Sequence, residues 1–153
     1  MNEPMQLVVF RVGEQRCALA LAAVERIVRA VEVTPLPGAP HIVLGVIDVE
    51  GSLVPVLSIR RRFRLPEREI IPADQFLIAR AAGRAVALVI DEAEGVFERE
   101  QSAITPSCGL SPGLEQFGGV VKLDDGLALI HDPEKFLSLE DVRALDDALY
   151  RVE

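Results

Sequence analysis

The sequence contains no tryptophan, one tyrosine and six phenylalanines, so aromatic residues make up only 5% of its 153 residues. Hydrophobic residues nevertheless account for 50% of the chain. A chain of this length and hydrophobicity is expected to fold into one compact domain, spanning residues 1–153, rather than to stay disordered. With so few aromatic rings available, its core is predicted to be aliphatic.

Cysteine is also scarce. The two cysteines, Cys17 and Cys108, lack a C-x-x-C spacing and give no support to a zinc site or a disulfide framework. Cys17 alternates with Leu19 in a strand pattern, which favours a buried structural thiol over a reactive one. No cofactor is predicted, and two ordinary thiols are typical of a cytoplasmic protein.

Long apolar runs are missing too. A run such as residues 85–90 (AVALVI) is far shorter than the roughly 20 residues that span a bilayer. Residues 1–6 carry no basic segment of a signal peptide. We therefore expect a cytoplasmic protein without direct membrane insertion. The formal net charge of −8 argues against nucleic acid as the main partner, because phosphate binding needs a basic surface.

Alternation of apolar and polar residues predicts many short strands joined by tight turns. Turn signals every dozen residues or so indicate small barrels rather than a parallel sheet. No internal repeat is apparent. The clearest predicted hairpins join residues 7–12 to 16–19, 76–80 to 85–90, and 119–123 to 127–130.

The end of the chain is predicted to be helical. Asp132 and Pro133 fit an N-cap followed by a proline in the first turn. Ser138 and Asp141 resemble a capping box, with Asp in the place that Glu or Gln usually holds. Three apolar residues then follow one helical face: Val142, Leu145 and Leu149.

A hairpin pattern at residues 45–56 (GVIDVEGSLVPV) carries two carboxylates just before a predicted Gly51-Ser52 turn. Period-two alternation places Asp48 and Glu50 on one strand face. They could form a catalytic pair, a metal site or part of a contact surface. The sequence provides no nucleophile or lid for catalysis there. Pro55 excludes a fully paired central strand, so an edge strand or a bulge is expected.

No catalytic motif accompanies these acids: HExxH, GxSxG, Walker and GxGxxG patterns are all missing. His41 and His131 are expected to be ordinary surface or cap-neighbouring residues. The mean hydropathy of +0.28 is high for a soluble monomer and indicates spare apolar surface. The residues alone therefore predict an all-β interaction module that is not an enzyme.

Two further charged clusters are expected to be solvated. Asp91, Glu92 and Glu94 follow a predicted strand, and charges at a strand end usually face water. Residues 60–62 are three arginines, which could bind phosphate but fit a short solvated turn better.

Residues 36–63 (LPGAPHIVLGVIDVEGSLVPVLSIRRRF) resemble the CheW-like domain of bacterial chemosensory systems, whose pattern there is roughly LPxxPxxVxGVxNxRGxVVPVxDLR. Three further segments resemble the same family: LVVFRVGEQRCALALAAVERI, AVALVIDEAEGV and GGVVKLDDGLALIHDPEKFLS. The matching positions in the first segment are Leu36, Pro37, Pro40, Val43, Gly45, Val46, Gly51, Val54, Pro55, Val56 and Arg60.

This resemblance implies a mainly β fold of two small SH3-like β-barrel subdomains that share an aliphatic core, with short helices including a C-terminal one. It also implies a non-enzymatic signalling adaptor that couples the cytoplasmic tip of a chemoreceptor to the regulatory domain of a CheA-type histidine kinase. One barrel would dock to the kinase through apolar strand surface. A groove near the junction of the barrels would take the helical hairpin of the receptor.

Three positions depart from the family pattern: Glu50 replaces a usual Arg, Arg26 a usual Glu, and Ser58 a usual Asp. Because the first two changes are reciprocal, we hypothesise that Arg26 and Glu50 form a charge-swapped ion pair near the receptor-binding groove. The swap predicts weak binding to conventional receptor tips. It leaves open a divergent regulatory module that binds a kinase or another partner without conventional receptor binding. The predicted partner-binding residues are Val24, Arg26, Ile27, Val46, Asp48, Glu50, Val54 and Ser58.

Overall fold

A computed structural model describes residues 4–81, 83–106 and 117–152 of the chain, which form a mainly β structure. Within these ranges the α-helices are α1 Ile59–Arg62 and α2 Leu139–Val152, and short 3-10 turns cover Leu21–Ala23, Gln101–Ala103 and Pro133–Lys135. The strands are β1 Met5–Val12, β2 Gln15–Ala20, β3 Val24–Arg29, β4 Val43–Val49, β5 Ser52–Leu57, β6 Gln75–Ala81, β7 Arg84–Ile90, β8 Glu92–Arg99, β9 Ile104–Pro106, β10 Phe117–Leu123 and β11 Gly126–His131.

The strands form two sheets, and the second consists of five consecutive strands inserted in the chain between β2 and β8 of the first. The first sheet has the order β8-β1-β2-β11-β10-β9, and the second has the order β3-β6-β7-β5-β4. β3 follows β2 in the chain yet pairs with β6, whereas β8 follows β7 yet pairs with β1. The chain therefore passes from the first sheet to the second after β2 and returns to the first after β7. We refer to them as the first and second barrels.

Each barrel closes where a glycine lets two backbone segments approach. In the second barrel, Thr34 and Val46 exchange backbone hydrogen bonds of 3.0 and 2.8 Å, which joins the segment after β3 to β4. A Cβ atom at Gly45 would lie only 2.2 Å from the carbonyl oxygen of Thr34. In the first barrel, a Cβ atom at Gly119 would lie 2.5 Å from the carbonyl oxygen of Thr105. The two barrels thus close in the same way, although the sequence shows no apparent internal repeat.

The alternation in β1 explains how the barrels share a core. Val8, Phe10 and Val12 are buried in a cluster between the two barrels. Leu7 and Val9 point the other way, into the interior of the first barrel. Both faces of this strand are buried, which is why it reads as an almost continuous apolar run. The core inside the second barrel consists of Ile47, Val54, Val56, Phe76, Ile78 and Ala87.

The C-terminal helix α2 begins and packs as predicted. Ser138 Oγ accepts a hydrogen bond from the Asp141 backbone N–H at 3.0 Å, and Asp141 Oδ2 accepts one from the Ser138 N–H at 3.1 Å. This reciprocal pair is a capping box. Leu145 is buried against the shared core, and Val142 and Leu149 pack beside it. No helix in the described ranges is long and apolar enough to cross a membrane.

The strand that contains Pro55 differs from the prediction. β5 is an interior strand between β4 and β7, and Pro55 stands opposite Val46 without a bulge at the proline. Its parallel pairing with β7 begins only at Val56. The proline therefore lies just outside that pairing, where its missing N–H leaves no ladder bond unmade. The expectation that the arm is not fully paired is confirmed, but an edge strand or a bulge at Pro55 is wrong.

Candidate partner-binding surface

The hairpin that carries Asp48 and Glu50 turns one residue earlier than predicted. Val49 pairs with Ser52, so the turn consists of Glu50 and Gly51, with φ angles of 51° and 88°. Two successive positive φ angles are typical of a type I′ turn, whose twist suits a two-residue hairpin. Glu50 therefore belongs to the turn and does not share a strand face with Asp48.

Asp48 is bound within the same turn. Its Oδ1 accepts a hydrogen bond from the Gly51 backbone N–H at 2.7 Å, a local bond that Asp often makes in turns. The carboxylate of Glu50 is bound elsewhere, to Arg26. The two acids thus have separate partners, which favours the contact surface over a catalytic pair. In the described part of the chain, no group of three or more His, Cys, Asp and Glu residues could hold a metal ion.

Arg26 and Glu50 form the ion pair that the reciprocal change predicts. Arg26 Nη1 and Nη2 donate to Glu50 Oε1 and Oε2 at 2.8 and 3.3 Å. The side chains are 45% and 73% exposed. The hydrogen bond from the guanidinium, together with its charge, holds the pKa of Glu50 below its ordinary value. An exposed pair adds little to stability, but it presents two charges to a partner.

The pair spans the seam of the second barrel, which we define as the surface between β3 and the β4–β5 hairpin. β3 and β4 are the two edges of the second sheet. Val24 and Ile27 lie on β3 beside Arg26, where both are half-buried against the shared core. Asp48 is exposed on the opposite side. The structure therefore brings these five predicted residues, Val24, Arg26, Ile27, Asp48 and Glu50, to one region of the surface.

The other three predicted residues do not form surface. Val46, Val54 and Ser58 are only 5%, 3% and 7% exposed. Val46 faces the shared core, and Val54 faces the interior of the second barrel. Ser58 caps α1, since its Oγ accepts a hydrogen bond from the Arg61 N–H at 3.1 Å. We therefore restrict the candidate contacts to the five seam residues.

Asp91 does not face water, contrary to the prediction. Its side chain is 26% exposed, and its Oδ2 accepts a hydrogen bond from the Gly13 backbone N–H at 2.9 Å. Its Oδ1 accepts bonds from Arg60 and Arg68 at 3.0 and 2.9 Å. Glu92, the next residue, is 62% exposed as predicted. Backbone and arginine donors therefore occupy the Asp91 carboxylate.

The three consecutive arginines lie in the four-residue helix α1, where they are partly buried rather than fully solvated. Arg60, besides its bond to Asp91, donates to the Pro66 carbonyl oxygen at 2.9 Å. Arg61 donates to Glu67 at 2.7 Å and to the His41 carbonyl oxygen at 2.9 Å. These guanidinium groups already bind oxygen atoms of the protein, which gives no support to a phosphate site.

The cysteine and histidine side chains are the remaining candidates for a nucleophile or a base. Cys17 is buried, and burial raises the pKa of its thiol to about 12, which confirms an unreactive structural residue. Cys108 lies outside the described residues.

His41 is exposed as expected, but His131 is buried, and burial lowers its pKa to about 4. Three rings surround His131 at centroid distances of 5.0, 5.6 and 6.4 Å: Phe63, Phe136 and Phe10.

An exposed apolar groove on the second barrel was not predicted. Val31 and Ile71 are 53% and 47% exposed, and they border a cavity of about 330 Å³. The available signal was the Ile-Ile-Pro sequence at residues 70–72. We define the apolar groove by its lining residues: Ala30, Val31, Glu32, Val33, Ile70, Ile71 and Pro72.

Comparisons with known proteins agree with this architecture. Residues 6–141 match the family model of the CheW-like domain. The chain is 26% identical over 150 residues to the chemotaxis protein CheW of Treponema pallidum, covering 94% of this chain and 88% of that protein. It is 30% identical over 99 residues to the chemotaxis protein CheW of Bacillus subtilis, covering 65% of this chain and 64% of that protein.

A solved structure shows the same fold. The crystal structure of the scaffolding protein TtCheW from Thermoanaerobacter tengcongensis superposes with a TM-score of 0.82 at 23% identity, covering 91% of this chain and 96% of that one. The predicted fold, mainly β with two small SH3-like barrels, a shared core and a C-terminal helix, is confirmed.

Proposed function

Because this chain belongs to the CheW-like domain family and is therefore a non-enzymatic chemotaxis adaptor, we propose that it couples the cytoplasmic tip of a chemoreceptor to the regulatory domain of a CheA-type histidine kinase. It acts in the cytoplasm and needs no cofactor. Its partners are proteins only, with no nucleic acid and no direct membrane insertion. Residues 1–153 work as one unit that presents two binding surfaces.

The apolar groove is the proposed docking surface for the kinase, and it is the observation that carries the proposal. Val31 and Ile71 leave about half of their surface in water although the chain has a net charge of −8. Burying apolar surface contributes roughly 25 cal/mol per Å², so a groove of this kind favours a protein partner with complementary apolar side chains.

The seam is the proposed contact for the receptor. Arg26 and Glu50 present opposite charges there, and Val24 and Ile27 add partly exposed apolar surface between the barrels. Charges at the rim of an interface affect the choice of partner more than raw affinity. A receptor tip whose charges complement the usual family pair would therefore face the opposite charges at Arg26 and Glu50.

The same inversion favours a second candidate function. A regulatory module that keeps the apolar groove but has lost its match to conventional receptors would bind the kinase, or another partner, through the groove alone. The Arg26–Glu50 pair is the observation that supports this candidate, since its two charges are exchanged relative to the family pattern.

Co-purification with purified partners separates the two. The tagged chain is mixed with the CheA-type kinase and, separately, with a receptor fragment that contains the helical tip. Both candidates predict retention of the kinase. The coupling function also predicts retention of the receptor tip, more weakly than by a family member with the usual charges, whereas the second candidate predicts no retention of the tip. If the kinase is not retained, the main proposal fails. If a conventional tip is retained as strongly as by a family member with the usual charges, the second candidate fails.

A further inference from the structure

A cluster of arginine and aspartate side chains lies where the chain passes from the second barrel to the first. Asp91 is the single residue between β7 and β8. Its backbone N–H donates to the Arg11 carbonyl oxygen at 2.8 Å, and its Oδ2 accepts from the Gly13 N–H at 2.9 Å. Arg11 lies on β1 and Gly13 in the turn that follows it. Asp91 is therefore fixed to the first barrel by its backbone and its side chain.

Two arginines from outside the first barrel reach the same carboxylate. Arg60 of α1 donates to Asp91 Oδ1 at 3.0 Å, and Arg68 donates to the same oxygen at 2.9 Å. Arg68 also makes two bonds to Asp74, at 2.7 and 2.8 Å. The Asp74 side chain is 2% exposed. Arg68 thus bridges a carboxylate fixed to the first barrel and a buried carboxylate at the start of β6.

Asp74 in turn holds both walls of the apolar groove. Its Oδ2 accepts a hydrogen bond from the Ile71 backbone N–H at 3.0 Å. Its backbone N–H donates to the Ile71 carbonyl oxygen at 2.9 Å, and its own carbonyl oxygen accepts from the Ala30 N–H at 3.0 Å. Ile71 and Ala30 belong to the two chain segments that line the groove. Arg68 is therefore linked through Asp74 to two residues that line the groove.

The segment 65–74 depends on such side-chain bonds because it contains neither helix nor strand. Backbone bonds at its ends join Leu65 N–H to the Arg60 carbonyl oxygen at 2.8 Å and Ala30 N–H to Asp74. Between those ends, Arg60 binds the Pro66 carbonyl oxygen and Arg68 binds Asp74. A segment held in this way opens locally at a lower free energy than strands buried on both faces.

We propose that Arg68 and Asp91 are positioning residues for the apolar groove. Arg68 holds Asp74, Asp74 holds Ile71 and Ala30, and Asp91 fixes Arg68 relative to the first barrel. The shape of the groove then follows the packing of one barrel against the other. The link to docking rests on the proposed function, in which the groove binds the kinase, but the positioning itself does not.

The proposal is tested by removing the negative charge of the Asp91 carboxylate. Asp91→Asn keeps the size of the side chain and an oxygen that can accept from Gly13. Its NH2 group, however, is a hydrogen-bond donor and cannot accept the hydrogen bonds that Arg60 and Arg68 donate to the carboxylate. A matched control is Glu92→Gln, which removes a neighbouring carboxylate that binds only the exposed Arg11 side chain among the described contacts.

Hydrogen exchange tests the positioning without any partner. In Asp91→Asn, the hydrogen-bonded amides of Leu65, Ile71, Asp74 and Ala30 are expected to exchange about tenfold faster or more, while the amides of β6 and β7 keep their wild-type rates. Glu92→Gln is expected to change neither group. Unchanged exchange at those four amides would overturn the proposal. Equal acceleration in every strand would also overturn it, because it would show general destabilisation.

Binding then tests the link to docking. The dissociation constant for the regulatory domain of the kinase is expected to rise about tenfold in Asp91→Asn and to stay unchanged in Glu92→Gln. Should Asp91→Asn fail to fold, Arg68→Gln serves in both measurements, since it leaves the Asp91 contacts to Gly13 and Arg60 in place. If the wild-type chain does not bind the kinase, the docking function fails and hydrogen exchange alone decides the positioning. Faster exchange with an unchanged dissociation constant overturns the link.

Discussion

Arg26 reaches across the seam of the second barrel and makes two hydrogen bonds to Glu50, at 2.8 and 3.3 Å. Glu50 adopts a φ angle of 51° in the first position of a tight turn, a conformation that Gly and Asn adopt more readily. The exposed pair gives little stability to offset that strain. We therefore expect the charge of Glu50 to be used at the surface in partner recognition.

Exchanging the two charges tests this use. The double variant Arg26→Glu/Glu50→Arg keeps the pair and restores the arrangement typical of the family. We expect it to bind a conventional receptor tip about tenfold more tightly than the wild-type chain, because complementary rim charges favour the matched partner. Calorimetric titration with a receptor-tip fragment measures the change.

A neighbouring pair provides the control. Arg80 and Glu25 form an exposed contact of 3.4 Å on the adjoining strands. Exchanging them by Arg80→Glu/Glu25→Arg should leave receptor affinity unchanged. Equal gains from both exchanges, or no gain from the first, would remove the specific role of Arg26 and Glu50.

Closure of the second barrel predicts a large effect at Gly45. A Cβ atom there would lie 2.2 Å from the carbonyl oxygen of Thr34 and 2.7 Å from a methyl group of Val33. Gly45→Ala is expected to lower the free energy of unfolding by about 3 kcal/mol or more, since neither the backbone oxygen nor the packed chain can move away. Urea denaturation monitored by far-ultraviolet circular dichroism measures this loss.

Gly51→Ala is the matched control. Gly51 has a φ angle of 88°, but a Cβ atom there would meet no other atom within 4 Å. The substitution therefore costs only the strain of the backbone conformation, about 1 kcal/mol. Similar losses at both glycines would show that close approach to Thr34 does not matter.

Burial of His131 predicts a pH dependence of stability. Burial lowers its pKa from 6.5 to about 4, so the unfolded chain binds a proton more readily than the folded one in this interval. Stability is therefore full above pH 6.5 and falls as the pH drops towards about 4, by about 3 kcal/mol in total. Carboxyl groups with lowered pKa values, such as Glu50, contribute to the loss only below their ordinary pKa near 4.

Replacing the ring isolates this effect. His131→Phe suits the surrounding phenylalanines and should flatten the stability profile between pH 6.5 and about 4. The exposed His41 is the control, and His41→Gln should retain the wild-type slope. A slope that survives His131→Phe would assign the pH dependence to other groups.

Local patterns allowed much of the fold to be predicted. Alternation located the hairpins, and the capping pair Ser138 and Asp141 located α2, because both signals arise from contacts within a few residues. The ion pair between Arg26 and Glu50 was predictable from their reciprocal change. The surroundings of Asp91 were not, since Gly13, Arg60 and Arg68 come from distant parts of the chain. The burial of Val46, Val54 and Ser58 depends in the same way on contacts between distant segments of the chain.

The apolar groove was unpredictable for a similar reason. Val31 and Ile71 lie in segments without regular structure, about forty residues apart in the chain, and the bond between Ala30 and Asp74 brings these segments together. A sequence pattern with a period of two or 3.6 residues does not describe such a surface.

Titration of groove variants with the regulatory domain of the CheA-type kinase tests the adaptor role most directly. Val31→Asp and Ile71→Asp each place a charge in the groove and should weaken binding about tenfold or more. Tyr150→Asp changes a residue of α2 that is 83% exposed and should leave affinity unchanged. Unaltered affinity in both groove variants, or an equal loss with Tyr150→Asp, would contradict docking of the kinase in the apolar groove.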